Sequence, residues 1–334
     1  TSLNASAGDG TVGANIGAGG NPLAISVNNL TTETRGTNTS GSQWINEADG
    51  LHSLNLDAGT GNIMLQSGGE VQDDDGANDV TATDLIISVT AGGGIGLTGN
   101  RVGTTVTNLD VSNVGGGGIF ITNTGSLTTM DLGGADTNSV SGVGGGGEIR
   151  AYGPLTLTGI NNTIGGFTYT AFDNLDDGND VLLIDSGTTV TDGMSLTFNG
   201  GDAVTFHANG TSSAIAPFIA INVDVLADSG DDEMAGGEVN IPDATTLGLT
   251  GVGTTRVTIT GGYDGDEFNI VTQADATVSI NGGDPIGLIQ SSGDLLNVTN
   301  GSANGTIQLN NEQNSGSVFV AGLAPVTFTS IERL

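Results

Sequence analysis

Short runs of alternating apolar and polar residues, joined by glycines, recur along the first half of the chain. The clearest example extends from Leu109 to Ile121 and contains four consecutive glycines at positions 115–118. A period of two is typical of β-strands, and glycine tolerates the sharp corner between them. The same pattern returns at residues 54–65, 87–97 and 140–151. The sequence therefore predicts repeated strand-corner-strand units and no long amphipathic helix.

Such repetition indicates a stacked architecture, because a unit that cannot bury its own apolar side must pack against copies of itself. Beyond residue 166, apolar pairs begin near Val239, Phe268, Leu296 and Val326 at nearly even intervals. Three short strands per turn of about 29 residues are typical of a three-sided parallel β-helix. With coils about 4.8 Å apart, roughly eleven coils would form a rod on the order of 50 Å long. We therefore predict an all-β solenoid.

Three segments follow from this pattern. Residues 1–22 are rich in Gly, Ala and Asn, and we expect a flexible lead-in or an N-terminal cap there. Residues 23–165 are expected to form a β-helix with glycine-cornered coils of variable length. Residues 166–334 are expected to continue the β-helix with coils of roughly 29 residues. An antiparallel β-sandwich remains an alternative for this C-terminal half, since strands every 8 to 12 residues are typical of that fold too.

The charge composition of the chain limits the classes of molecule that it is expected to bind. Five basic residues, all Arg, face 37 acidic ones, which gives a formal net charge of −32. A chain of this charge is repelled by phosphate backbones and anionic membrane surfaces, so we expect no nucleic-acid partner. The sequence contains no apolar run long enough to span a bilayer, so we expect no membrane insertion. The acids also keep a long β-surface soluble.

The compartment is suggested by two further features. The chain has no cysteine, which excludes disulfides and thiol chemistry. It begins at Thr1 without an initiator Met or a basic-apolar signal segment, and we expect a processed mature chain or a piece of a longer one. These features are compatible with an extracellular or cell-surface protein.

Two stretches resemble known families. Residues 54–65 (LNLDAGTGNIML) and 118–125 (GIFITNTG) resemble the repeats of large bacterial adhesins of the filamentous-haemagglutinin type. Those repeats are right-handed parallel β-helices, so the resemblance implies that handedness here. The C-terminal stretches 261–270, 281–285, 293–298 and 325–332 look like modules repeated in giant surface proteins of planctomycete-like bacteria. The resemblance implies an extracellular structural or adhesive protein and carries over no catalytic residue.

Calcium is the candidate cofactor, because hard cations bind clustered carboxylates and carbonyls in turns. Acidic clusters occur near residues 73–75, 173–180, 228–233 and 264–267. A strict EF-hand fails at 173–184, because Ile184 stands where a carboxylate is needed. Solvated corner acids remain the alternative reading. The candidate metal ligands are Asp173, Asp176, Asp177, Asp180, Asp228, Asp231, Asp232, Asp264 and Asp266.

Catalysis has weaker support. Parallel β-helices do host polysaccharide lyases and hydrolases, so a carbohydrate-active enzyme is the alternative function. A lyase acting on acidic sugars needs basic groups, and no two of the five Arg lie close in sequence. A hydrolase needs two carboxylates about 5 to 10 Å apart, which almost any corner pair could supply. His52 and His207 lack a neighbouring His or Cys at ligand spacing. We expect no enzyme.

The function that the sequence favours is an extracellular structural or adhesive protein: a surface-layer, filament or matrix subunit. We expect self-association into a homopolymer through the ends or faces of the solenoid. Residues 326–331 and the N-terminal segment are the expected contact edges. Cell-surface glycans are a further candidate partner.

Overall fold

A computed structural model describes most of the chain. The described residues are 1–73, 77–134, 136–172, 180–207, 211–224, 236–242, 245–248, 255–262, 265–283, 293–299, 305–309, 314–332 and 334. They contain strands, turns and bends but no helix.

The strands are short, and most are three to six residues long. In chain order they are β1 (Ser2–Ser6), β2 (Leu23–Ile25), β3 (Asn29–Glu33), β4 (Gln43–Glu47), β5 (Ser53–Asp57), β6 (Ile63–Ser67), β7 (Val80–Thr81), β8 (Asp84–Val89), β9 (Gly93–Ile95), β10 (Val102–Thr105), β11 (Asn108–Asn113), β12 (Gly116–Thr124), β13 (Leu127–Thr129), β14 (Val140–Val143), β15 (Gly147–Tyr152), β16 (Leu155–Leu157), β17 (Ile160–Ile164), β18 (Phe167–Ala171), β19 (Val181–Ile184), β20 (Thr189–Asp192), β21 (Ser195–Gly200), β22 (Ala203–Phe206), β23 (Ser213–Ile215), β24 (Phe218–Val223), β25 (Glu238–Ile241), β26 (Thr246–Leu247), β27 (Thr255–Thr260), β28 (Glu267–Val271), β29 (Ala276–Asn281), β30 (Leu295–Thr299), β31 (Gly305–Leu309), β32 (Gly316–Val320) and β33 (Val326–Thr329).

The chain forms two compact units. The first comprises residues 1–151 and 159–165, and the second comprises residues 152–158 and 166–334. In the first unit, one sheet has the strand order β1-β3-β5-β7-β10-β12-β15, and a second sheet contains β2, β4, β6, β8, β11, β14 and β17. The described pairs of these strands are parallel, as in β3 with β5 and β6 with β8. Each coil therefore contributes one strand to each sheet.

The second unit is built in the same way. One sheet runs β18-β21-β24-β27-β29-β33, and a second contains β16, β19, β22, β25, β28 and β30. A third, shorter row consists of β20, β23 and β26. Only the end of the first sheet differs, since β32 pairs antiparallel with β33 and β31 pairs antiparallel with β32 among the described strands. Counted over both units, the chain makes about 11 turns.

Inward side chains form in-register columns between the sheets. In the second unit, Ile219, Val257, Val278 and Val326 stack on one another and are buried. Because strand side chains alternate, every second residue of each strand joins such a column. A buried aliphatic side chain of this size contributes about 1.5–3 kcal/mol. The columns give a thin but continuous core.

The predicted all-β solenoid is confirmed. The unit at 109–121 is β11, a glycine corner and β12, and its two strands belong to different sheets. The units at 54–65, 87–97 and 140–151 likewise correspond to β5 and β6, β8 and β9, and β14 and β15. The antiparallel sandwich that was the alternative for the C-terminal half is wrong, because the stacked strands of the second unit pair in parallel.

Coil length varies more than the sequence predicts. Val239, Phe268 and Leu296 are indeed in register in the second sheet. Val326, however, pairs with Val278 of the other sheet, 48 residues earlier. Among the other described parallel pairs of the second unit, residue separations range from 21, for Val257 with Val278, to 38, for Ile219 with Val257. Insertions at the corners change the length of a coil without changing the register of its strands.

Both chain ends carry strands that pair with the first sheet of their unit. Residues 2–6, assigned to a lead-in or cap, form β1 and pair with β3 along their whole length. Strand β33 lies between β29 and β32, so both of its edges are hydrogen-bonded. Residues 326–329 of the expected contact edge therefore have their backbone groups engaged within the chain, and self-association through residues 326–331 stays a prediction.

Candidate functional site: an acidic corner in the second unit

Acidic side chains line one corner of the second unit, where strands of its first sheet end and strands of its second sheet begin. Asp180, Asp202, Asp266 and Asp294 each stand directly before a strand of the second sheet, and Asp224 directly follows β24. Glu332 follows β33 at the same corner. We name this group the acidic corner: Asp180, Asp202, Asp224, Asp266, Asp294 and Glu332.

The carboxylates of the acidic corner bond from one coil to the previous one. The Asp180 N–H donates to Asp202 Oδ2, and the Gly237 N–H donates to Asp266 Oδ1 at 2.7 Å. The Asp266 N–H donates to Asp294 Oδ1 at 3.0 Å, and the Asp294 N–H donates to Glu332 Oε2 at 2.9 Å. Four of the six acids, Asp202, Asp266, Asp294 and Glu332, thus satisfy a backbone donor that the turn would otherwise leave unpaired.

Glycines make room for these carboxylates. A Cβ on Gly261 would overlap Asp266 Oδ2, and a Cβ on Gly282 would overlap Asp294 Oδ2. Both glycines directly follow a strand of the first sheet, β27 and β29. The Gly-Gly pairs at 261–262 and 282–283 are therefore part of the corner, because any larger residue at the first position would displace an acid.

Burial makes these acids hard to ionise. Asp266 and Asp294 are 1% and 0% exposed. Burial raises the pKa of Asp266 to about 8, and the nearby Asp294 and Asp224 carboxylates add to the rise. Burial likewise raises the pKa of Asp294 to about 7, and Glu332 adds to it. Backbone N–H donors oppose both shifts without cancelling them. The corner therefore favours a proton or another positive charge.

Only two of the nine expected metal ligands belong to the described part of the chain. Asp180 and Asp266 lie in the acidic corner, before β19 and β28. These strands are three coils apart in the second sheet, with β22 and β25 between them. The other expected ligands lie outside the described residues: Asp173, Asp176, Asp177, Asp228, Asp231, Asp232 and Asp264. Within the described part of the chain, no three His, Cys, Asp or Glu side chains are grouped so that they could hold one metal ion.

Sequence reasoning missed Asp202, Asp224, Asp294 and Glu332. Asp202, Asp294 and Glu332 stand apart from the acidic runs in the sequence, and Asp224 lies four residues before the run at 228–233. Stacking brings each of them beside another acid of the corner. A signal was nevertheless present, since Gly-Asp directly before an alternating strand occurs at 201–202, 265–266 and 293–294. Aligning the strands that follow these pairs would have placed their aspartates in one column.

A second polar row runs along the outward face of the second sheet in the same unit. Asn269 Nδ2 donates to Asn240 Oδ1 at 3.0 Å, and Asn297 Nδ2 donates to Asn269 Oδ1 at 2.8 Å. These residues form an amide ladder across β25, β28 and β30, and they line a shallow groove of about 320 Å³ with Pro242 and Val271. The three amides also donate to Thr205, Glu238 and Glu267 of the preceding coil, at 3.3–3.4 Å, so the row connects successive coils.

The first unit carries a different cluster on its first sheet. Arg101 Nη2 lies 2.5 Å from Glu148 Oε2, and Arg150 Nη2 lies 3.2 Å from Glu148 Oε1. The Arg101 guanidinium also stands 5.6 Å from the centre of the Phe120 ring. We name Arg101, Phe120, Glu148 and Arg150 the arginine cluster. Two bases that are 49 residues apart in sequence thus meet on one carboxylate, which the sequence analysis did not anticipate.

Comparison with known proteins gives no relatives: no family model, no curated protein and no solved structure matches the chain. In the part of the chain that the structure describes, no helix is long and apolar enough to cross a membrane.

Proposed function

We propose that this protein is an extracellular structural or adhesive protein, a subunit of a surface layer, filament or matrix. The stack of coils itself would perform this structural role. Parallel ladders tie each coil to the next, and polar residues on the outside keep the stack in water.

One observation carries this proposal: the polar residues best placed for chemistry bond to the neighbouring coil. In the acidic corner, Asp266 and Asp294 accept backbone N–H groups of the coil before them. In the amide ladder, Asn269 both donates to Asn240 and accepts from Asn297. Groups that bridge coils in this way stabilise a stack, whereas catalytic groups converge on one point where a substrate can bind.

The proposal is tested by imaging the purified full-length chain with negative-stain electron microscopy across a range of protein concentrations. We expect filaments, sheets or regular head-to-tail chains at high concentration. A control series on polysaccharides measures release of reducing ends and of unsaturated products. Discrete particles at every concentration, together with turnover of any polysaccharide, would replace the structural function by the carbohydrate-active alternative.

A second candidate function, binding of acidic glycans, is favoured by the arginine cluster. Arg is the residue that best matches the planar geometry of a carboxylate, and Phe120 adds an apolar face beside it. The cluster carries two positive charges and one negative charge in a chain whose net charge is −32. A uronic-acid or sialic-acid chain would complement that local excess, and its binding would give the stack an adhesive role.

Glycan binding is tested on an array of neutral and acidic glycans with the full-length chain. We expect acidic glycans to bind, and Arg150→Gln to weaken binding at least tenfold. Arg256→Gln removes an exposed base on β27 of the other unit and is the matched control. Equal loss in both variants, or a preference for neutral glycans, would rule out the arginine cluster as the binding site.

A further inference from the structure

We propose that the acidic corner binds one hard divalent cation of the Ca²⁺ class between Asp294 and Glu332. This inference does not rest on the proposed function, because a cation could stabilise the second unit whether the chain assembles, adheres or catalyses.

The first observation is an unsatisfied carboxylate oxygen. Asp294 is fully buried, and its Oδ1 accepts the Asp266 N–H. Its Oδ2 is also buried and has no hydrogen-bond partner. Leaving a charged oxygen in this state is costly, and native structures normally satisfy it with a donor, a water or an ion.

The second observation is that two further oxygen acceptors of the described chain lie near this oxygen. Glu332 Oε2 accepts the Asp294 N–H at 2.9 Å, so a second carboxylate lies beside Asp294. A Cβ on Gly282 would overlap both Asp294 Oδ2 and the Ser330 carbonyl oxygen. Two oxygens that both touch one such point are at most about 5 Å apart, which is the span that Ca²⁺ bridges with two bonds of 2.3–2.6 Å.

The electrostatics of the corner favour a positive charge at this position. The Asp224 and Glu332 carboxylates lie in the same corner and contribute further negative potential. The described ion pairs are formed by Arg35, Arg101 and Arg150, which all belong to the first unit.

The donor set points to calcium rather than zinc or magnesium. Two carboxylates and one backbone carbonyl are oxygen ligands, and the exposed Glu332 leaves the site open to solvent for water ligands. Calcium accepts six to eight oxygens in flexible geometry, whereas magnesium demands a near-ideal octahedron.

Calorimetric titration and thermal melts of the full-length chain test the site. The protein is stripped with a chelator and titrated with CaCl₂ or MgCl₂ at pH 8 and 0.1 M NaCl. We expect Ca²⁺ to raise the melting temperature by several degrees and to bind with more heat than Mg²⁺. Asp294→Asn and Glu332→Gln should each lose one calcium equivalent or bind it at least tenfold more weakly.

The matched control is Asp275→Asn, which removes an exposed acid of the same unit outside the acidic corner. It should keep the parent's calcium response. Glu332→Gln retains an acceptor for the Asp294 N–H, so its fold should survive, and circular dichroism checks this. No calcium response in the parent, equal loss in all three variants, or stabilisation by acid alone would each overturn the proposal; the last result would mean that a shared proton occupies the site.

Discussion

At the acidic corner, the space around a single glycine decides whether the coil can form its turn. Gly282 has Asp294 Oδ2 and the Ser330 carbonyl oxygen where a side chain would begin, and one of these is backbone that cannot swing away. We expect Gly282→Ala to destabilise the second unit by about 2–4 kcal/mol, because it creates overlap in a buried place. Urea unfolding followed by circular dichroism measures the change.

The matched control for this substitution is Gly99→Ala. A Cβ on Gly99 would meet no atom within 4 Å, so we expect its effect to stay within about 0.5 kcal/mol. If Gly282→Ala were as mild as Gly99→Ala, the carboxylate of Asp294 would not occupy the position described.

A buried acid in the first unit makes stability depend on pH. Asp110 on β11 is 2% exposed, and its Oδ2 accepts the N–H groups of Leu132, at 2.9 Å, and Gly134, at 3.2 Å. Burial raises its pKa from the ordinary 3.8 to about 6, and Asp131 and Asp136 add to the rise. The folded state therefore holds the proton more tightly than the unfolded state does. Stability should fall as the pH rises from about 4 to about 6 and should change little from this group above that.

Replacing this acid should remove its share of the pH dependence. Asp110→Asn keeps an oxygen that can accept both N–H groups. We expect this variant to lose about 1–3 kcal/mol less free energy of unfolding than the parent between pH 4 and pH 6. Trp44, the only Trp, lies in the first unit, so its fluorescence in urea reports that unit. Asp49→Asn, an exposed acid of the same unit, is the control and should keep the parent slope. An unchanged slope in Asp110→Asn would contradict the assignment.

At the scale of strands, the outward amides act as a row and not as single residues. Asn269 donates to Asn240 and accepts from Asn297, so Asn269→Ala removes two bonds of the amide ladder. We expect a loss of about 1–2 kcal/mol in urea unfolding. Ser279→Ala, at an exposed position of β29, should change stability by less than about 0.5 kcal/mol.

A double-mutant cycle measures the interaction energy between the Asn240 and Asn269 amides, separately from the other effects of each substitution. If the Asn240 and Asn269 amides interact, Asn240→Ala and Asn269→Ala together should cost less than the sum of the single changes. Full additivity would mean that the two amides stabilise the strands separately.

Strands were predictable because their signal is local. The alternation within Asn108–Asn113 and Gly116–Thr124 needs only neighbouring residues, and the glycines between them mark the corner. Which strand stacks on which was harder to predict. Val326 was grouped with Leu296 by spacing, yet it stacks on Val278, because an insertion at a corner shifts the spacing and leaves no mark on the strand itself.

Contacts between coils limited how much of the candidate sites could be predicted from the sequence. Asp266 stands in an acidic run and was expected to matter, whereas Asp294 is a lone acid 28 residues later and meets Asp266 only through the stacking of β28 on β30. Arg101 and Arg150 meet at Glu148 for the same reason. A single sequence does not contain coil lengths, so it cannot show which distant polar residues become neighbours.

For the molecule as a whole, the balance between a thin core and a large net charge governs stability. A formal charge of −32 is spread over 334 residues, and stacking places some acids of successive coils one strand spacing apart, as in Glu33 with Asp57 and Glu238 with Glu267. Like charges about 5 Å apart repel each other, and folding brings them closer than they are in the unfolded chain. The core must offset this repulsion in addition to the loss of chain entropy.

Monovalent salt should therefore stabilise the protein without any specific site. Raising NaCl from about 0.01 M to 0.5 M shortens the Debye length from about 30 Å to less than 8 Å and screens the exposed acids. At pH 7.5 with chelator present, we expect the melting temperature to rise steadily over this range by both Trp44 fluorescence and circular dichroism. Asp294→Asn should show the same rise, since screening acts on the whole charge and not on one carboxylate. A melting temperature that is independent of NaCl would mean that ion pairs or bound protons already balance the acids in the folded state.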